Sequence, residues 1–285
     1  MFSILILTKN EEANLPGCLE SVQWCDDVVV LDSHSTDRTQ EIARAAGARV
    51  EERAFDDFGS QRNHALEKIR FRHAWVFQLD ADERFRDELR RECEEAVRRD
   101  ERSAYGVSGR YIFMGKWIRH CTQYPYPQVR LVKVGEVRFR KAGHGQALDW
   151  SQRGEGQLRE PFDHLNFSKG IGEWMERHRR YAKEEAGRTL DLRKEPAGLG
   201  GLWAQDRMER LRARKRLLVR LPMRGTMKFL YLYFGCGGWL DGIPGLVYCG
   251  LQGWYERRIK TELRRLEREG VVNVKVNVNE SLKRE

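Results

Sequence analysis

Within the first hundred residues, short apolar runs alternate with stretches of helical periodicity, and few folds accept that alternation. Phe2–Leu7 is an apolar run, and Asn14–Trp24 then sets Leu15, Leu19 and Val22 on one helical face. Asp27–Leu31 is a second, β-branched run. Asp37–Ala46 spaces Ile42, Ala43 and Ala46 for a helix that Gly47 can stop. Arg49–Glu51 reads as a third strand, Gly59–Ile69 as a helix, Ala74–Leu79 as a fourth strand and Asp87–Arg99 as a charged surface helix. Strands alternating with helices of about ten residues build βαβ units, hence an α/β fold whose mostly parallel sheet is covered on both faces. Such sheets bind ligands beyond the carboxyl ends of their strands, so the polar residues just after each strand matter most.

The remainder changes character. Tyr105–Phe113 and Gln128–Val134 are extended runs around a Tyr124-Pro-Tyr-Pro127 turn, and Gly170–Leu190 returns to helix. The glycine-containing loop at Pro196–Gly201 is the expected boundary. This gives a first half over 1–100, a second over 101–198 and a basic amphipathic helical region over 199–285. Val272–Val278 alternates at period two and predicts a terminal strand, either an edge of the core sheet or a pairing surface between chains, which leaves a homo-oligomer open.

Charge divides the chain in the same place. Residues 1–200 carry 34 basic and 34 acidic side chains, so the whole net charge of +9 lies beyond them. Gln205–Lys228 holds nine basic residues against Asp206 and Glu209, and Phe229–Tyr255 has Asp241 as its single charge. Leucines on the basic helix and the adjoining aromatics favour an anionic membrane surface over nucleic acid, with Arg212, Arg216, Arg220 and Trp239 as contacts. A spanning helix is not expected, because glycines and Pro244 interrupt the run and burying Asp241 would cost a few kcal/mol. The six cysteines include no C-x-x-C pair and the start lacks a signal peptide, so the expected location is cytoplasmic, peripheral on the inner face of the cytoplasmic membrane.

After the first strand stands Thr8-Lys-Asn-Glu11, without the glycines of a dinucleotide-binding turn. After the second stands Asp32-Ser-His-Ser-Thr-Asp37, where Asp32 is placed to accept hydrogen bonds from a ribose or base edge. Ser35, Thr36 and Asp37 are equally ordinary helix caps, a duty that does not need Asp32. Past the fourth strand, Asp80 and Asp82 at i and i+2 put two carboxylates in the crevice mouth. Carboxylates gathered there repel unless a cation such as Mg²⁺ or Mn²⁺, or a bonded ligand, offsets them.

Phe2–Glu12, Val30–Asp37, Gln61-Arg-Asn63 and Leu79–Glu83 together resemble the family 2 inverting glycosyltransferases of GT-A fold. Gln128–Leu131, Gly143–Gly145, His164–Gly170 and Arg177–Ala186 extend the pattern toward the bacterial branch that glucosylates the lipopolysaccharide core, and to related exopolysaccharide enzymes. The resemblance implies that residues 1–100 bind a UDP-sugar and 101–198 the acceptor. Thr8, Asn10, Glu11 and Asp32 would line the nucleoside pocket, with Arg62 near the phosphates or sugar. Asp80 would face the ribose or donor sugar, and Asp82 would hold the divalent metal with His164 completing its shell. The base that deprotonates the acceptor is expected at Asp163, otherwise at Asp149, with His144 toward a lipid-linked or lipopolysaccharide acceptor. The competing expectation is a non-enzymatic membrane- or nucleic-acid-binding module on an α/β scaffold.

Overall fold

The computed structural model describes the chain except residues 123, 143, 144, 196–198, 205 and 282–285, and it divides into two compact units, Met1–Gly170 and Ile171–Glu285. The division falls at Gly170, upstream of the glycine-containing loop that the sequence suggested.

In the first unit, β1 (Ser3–Thr8), β2 (Val28–Asp32), β3 (Arg49–Glu52) and β4 (Trp75–Asp80) form a parallel array in the order β3-β2-β1-β4. The connecting helices are α1 (Leu15–Glu20), α2 (Thr39–Ala45) and α3 (Phe58–Lys68). A two-residue strand, β5 (Glu83–Arg84), follows the D-x-D turn, and then comes α4 (Asp87–Arg99). The sheet then turns antiparallel. β6 (Ala104–Phe113) pairs with the short β7 (Lys116–Trp117) and with β8 (Pro127–Lys133), which lies against β4. β9 (Val137–Ala142) and β10 (Gly145–Ser151) form a separate hairpin, β11 (Glu155–Gln157) joins β6, and β12 (Phe162–His164) lies between β6 and β5.

Alternation along β1 sends Phe2, Ile4 and Ile6 into one buried cluster with Leu15, Val30, Phe77 and Leu89. Leu5 enters a second with Val29, Leu31, Leu66 and Val76. Burial on both faces accounts for the near-continuous apolar character of these strands. Gly109 is what lets β12 dock: a Cβ there would lie 2.7 Å from the Phe162 ring. The strand that carries His164 therefore depends on a residue with no side chain.

Asp27, just before β2, is a buried carboxylate absorbed by structure. It accepts from Ser3 Oγ at 2.6 Å, the Arg72 amide at 2.7 Å and Arg49 Nη2 at 2.8 Å. Burial pushes its acidity down, but these donors outweigh burial and hold its pKa below the usual carboxylate value.

The second unit contains α5 (Gly170–Lys194), α6 (Arg207–Leu218), α7 (Arg224–Leu230) and α8 (Gly242–Ser281). Between α7 and α8 lie a π-turn over Tyr231–Gly235 and a 3₁₀ turn over Gly238–Asp241. The strand expected over Val272–Val278 is corrected: α8 continues through Ser281. A strand there would need a partner to satisfy its backbone, whereas extending a formed helix satisfies each added residue internally. Among the described residues no helix is long and apolar enough to cross a membrane.

Because the folded Asp27 pKa lies below its unfolded value, its contribution is full at neutral pH and fades as pH falls from about 4 through the folded value. Asp27→Ala is expected to lower unfolding free energy by about 2–4 kcal/mol at pH 7. The gap to wild type should narrow in acid, as read by urea titrations at several pH values.

Candidate active site

The loops after β1 and β2 are laced together. Thr8 Oγ1 donates to Asp32 Oδ1 at 2.8 Å, Ser35 Oγ and the Ser35 amide donate to Asp32 at 2.5 and 2.7 Å, and Gln40 Nε2 at 3.0 Å. Asp32 is thus fully buried and occupied by its own loop. The Ser35 amide uses its carboxylate as a turn acceptor, so Asp32 holds the loop ahead of α2 without capping that helix. Asn10, at φ 55°, accepts the Thr36 amide at 2.8 Å, while its own amide donates to Ser35 Oγ at 2.8 Å. Four donors overcome burial and keep the Asp32 pKa low.

Beneath the next turn lies a balanced set of charges. Asp80, at the end of β4, gives Oδ1 to Arg62 Nη2 at 3.1 Å and Oδ2 to Arg130 at 3.1 Å. Arg130, on β8, also holds Glu83 Oε1 at 2.6 Å, and Glu83 Oε2 accepts the Asp80 amide at 2.9 Å. Arg62 continues to Gln78 Oε1 at 2.9 Å and Gln146 Oε1 at 2.6 Å. Both guanidinium groups and Glu83 are at most 3% exposed. Burial alone would push the Asp80 pKa up, but two arginines hold it well below the usual range. Burial, with the nearby Asp80 charge, instead raises Glu83. Glu83 is therefore the member that takes up a proton first as pH falls.

Asp82 lies outside this set. Its Oδ2 is 3.3 Å from His164 Nε2, and its carbonyl accepts the Leu165 amide at 2.8 Å. Backbone pairing explains the meeting, because β12 runs antiparallel to β5 with His164 opposite Glu83. Burial disfavours the imidazolium, yet the carboxylates of Asp82, Glu83 and Asp80 outweigh it and raise the His164 pKa. The Tyr111 ring packs 5.0 Å from that of His164. Lys169 closes the mouth from β12 to the first loop: its Nζ donates to Glu11 Oε1 and to the Asn10 carbonyl, both at 2.7 Å. Burial raises the Glu11 pKa, with Lys169 and Asn14 opposing and the Asp82 charge adding to the rise.

The other expected residues fall elsewhere. Asp163 precedes His164 on β12, so alternation turns it to the opposite face, where Arg110 Nε and Nη2 grip Oδ1 at 2.6 and 2.5 Å. Asp149 is on the β9–β10 hairpin, half exposed and 3.6 Å from Arg140. His144 lies outside the described residues. A cavity of about 480 Å³ lined by Trp24, Phe85 and Arg90 contains none of the cleft carboxylates. Arg130, Glu83, Lys169 and Tyr111 were not assigned from sequence. Arg130 carried a readable signal, a charge inside the apolar run Val129-Arg-Leu-Val132, which demands a buried acidic partner.

Residues 3–161 match the family model described as glycosyl transferase family 2. The chain belongs to that family. Membership supports the expected glycosyltransferase over the binding-module alternative. The chain is 39% identical over 93 residues to a Rickettsia bellii glycosyltransferase, covering 32% of this chain and 31% of that protein. It is also 31% identical over 143 residues to the lipopolysaccharide core biosynthesis glycosyltransferase LpsC of Rhizobium meliloti, covering 48% and 52%. The match thus spans about a third to a half of the length of these relatives. Among solved structures, Staphylococcus aureus TarS 1–349 is 14% identical with a TM-score of 0.44, over 94% of this chain and 91% of that one. A likeness at that level says nothing about the reaction.

Arg130→Ala strands Glu83 and half of the Asp80 compensation, and is expected to cost about 3–5 kcal/mol of stability. Adding Glu83→Gln should recover part of that loss, so that denaturant midpoints of the two single variants and the double variant are non-additive.

Proposed function

We propose that this glycosyltransferase is metal-dependent and inverting, and moves a hexose, glucose by preference, from a UDP-sugar to a lipopolysaccharide-core, lipid-linked or exopolysaccharide acceptor. The Asp82–His164 pair carries the reading. Asp80 accepts from an arginine at each oxygen, whereas Asp82 pairs with an imidazole, that of His164, in the same cleft. Among the described residues no three His, Cys, Asp or Glu side chains are arranged to hold an ion by themselves. A hard divalent cation carried on a diphosphate needs only one or two protein ligands, and a carboxylate beside an imidazole fits that need. Asp82 and His164 would hold Mg²⁺ or Mn²⁺, which when bound stabilises the charge developing on the departing diphosphate.

The chain's own residues supply the frame. Thr8, Asn10, Glu11 and Asp32 build a rigid rim for the nucleoside, in which Asp32 acts by holding the loop. Arg62 and Arg130 place positive charge behind Asp80, near where the sugar and phosphates would lie. The acceptor hydroxyl oxygen bonds to the anomeric carbon, the bond from that carbon to the diphosphate breaks, and the hydroxyl proton passes to a carboxylate base. Similarity to LpsC supports a lipopolysaccharide-type acceptor.

Asp82→Ala is expected to reduce UDP-hexose turnover by at least about a thousandfold, with an unchanged melting temperature. Near-wild-type turnover, or full activity after exhaustive chelation, would overturn the metal assignment. Because Asp163 faces Arg110 rather than His164, Asp163→Asn should lower kcat less than about tenfold. Lost turnover with unchanged donor binding would instead make Asp163 the base. Asp149→Asn measured in parallel tests the alternative.

A further inference from the structure

The second unit has a buried apolar cluster of Ala182, Ala186, Ile259 and Leu263, but its α7–α8 hairpin is closed through glycines. A Cβ on Gly253 would lie 2.8 Å from the Gly225 carbonyl oxygen, and a Cβ on Gly225 would fall far inside contact distance of the Gly253 carbonyl. Gly245 is pressed against the Gly238 carbonyl in the same way. Glycines thus form the contact, and the large side chains go outward: Met223 is 64% exposed, Phe234 64%, Trp239 55% and Ile243 70%, with Leu230 and Leu240 about half exposed. Close backbone crossing through small residues, with large apolar residues outside, inverts the usual arrangement in water and suits a lipid-facing element. Large apolar side chains exposed this densely along one hairpin mark an interaction surface.

We propose that this face, from Met223 to Leu246, is an interfacial membrane seat that inserts side chains into an anionic bilayer without spanning it. The occupant follows from charge. Within the segment Lys228 and Asp241 stand alongside Arg224, which pairs with Glu256 at 2.8 Å, so the positive charge comes from α6, through which the chain enters and where Arg212, Arg214 and Lys215 are exposed. A second copy would bring like charges together, whereas anionic headgroups complement them. The assignment also shifts the contact away from two arginines that the sequence nominated. Arg220 Nη2 donates to the Arg193 and Glu195 carbonyls at 2.8 and 2.6 Å, and Arg216 Nη1 pairs with Glu195 at 3.2 Å. Both are spent on the C-terminal end of α5, while Arg212 and Trp239 remain turned to solvent.

The test uses the full chain with sedimenting vesicles of phosphatidylcholine, with and without phosphatidylglycerol, and no sugar nucleotide, so its failure is separate from failure of the transfer reading. Wild type should sediment with the anionic vesicles. Phe234→Glu combined with Ile243→Glu should reduce that partition about tenfold or more while leaving the circular-dichroism melt unchanged. Phe234→Ser, a milder change, should give an intermediate loss. Wild type remaining in the supernatant at low salt, or the double variant sedimenting like wild type, overturns the proposal. So does a wild-type dimer in ultracentrifugation that the same two changes convert to monomer.

Discussion

Burying a carboxylate costs several kcal/mol unless a cation meets it, and this cleft buries Glu83 fully and Asp80 in part beneath one turn. Arg130 holds both Asp80 and Glu83, which alone would leave an uncompensated negative charge; Arg62 reaches the other oxygen of Asp80 and brings the set to two cations and two anions. Asp82 stands outside this balanced set and pairs instead with His164. The rest of the site is arranged about this balance: β8 delivers Arg130, α3 delivers Arg62, and β5 pairs with β12 to bring His164 beside Asp82.

Much of this was legible in the sequence, for physical reasons that differ by region. Short apolar runs and helical spacing located β1–β4 and their helices, because both faces of a parallel sheet must be apolar. Asp82 and His164 could be nominated from a motif and a resemblance, yet their meeting depends on a two-residue strand and on Gly109, which no periodicity announces. Asp163 is placed by strand geometry rather than by proximity in sequence. Adjacent to His164 in sequence, it faces the other way, since neighbours on a strand do not share a side. The Val272–Val278 alternation misled because a two-residue period states which side chains would align in a strand, but provides no partner for its backbone.

The basic end differs from the rest of the chain in composition, but composition does not tell which arginines are exposed. Arg216 and Arg220 satisfy carbonyls and a carboxylate at the end of α5, where helix termini leave acceptors unpaired. Leucines and glycines in α7 and α8 likewise look alike in a hydropathy count. Only the crossing at Gly225 and Gly253 decides which are inside.

The bond from Arg62 Nε to Gln146 ties the β9–β10 hairpin to the charged set under the cleft. Any excursion of that hairpin which breaks the bond leaves a buried guanidinium short of an acceptor. The hairpin is thereby electrically tethered: displacing it would change the solvation of Arg62, and through Arg62 the grip on Asp80. A surface element outside the main sheet can in this way report its position to the floor of the site without touching whatever the site holds.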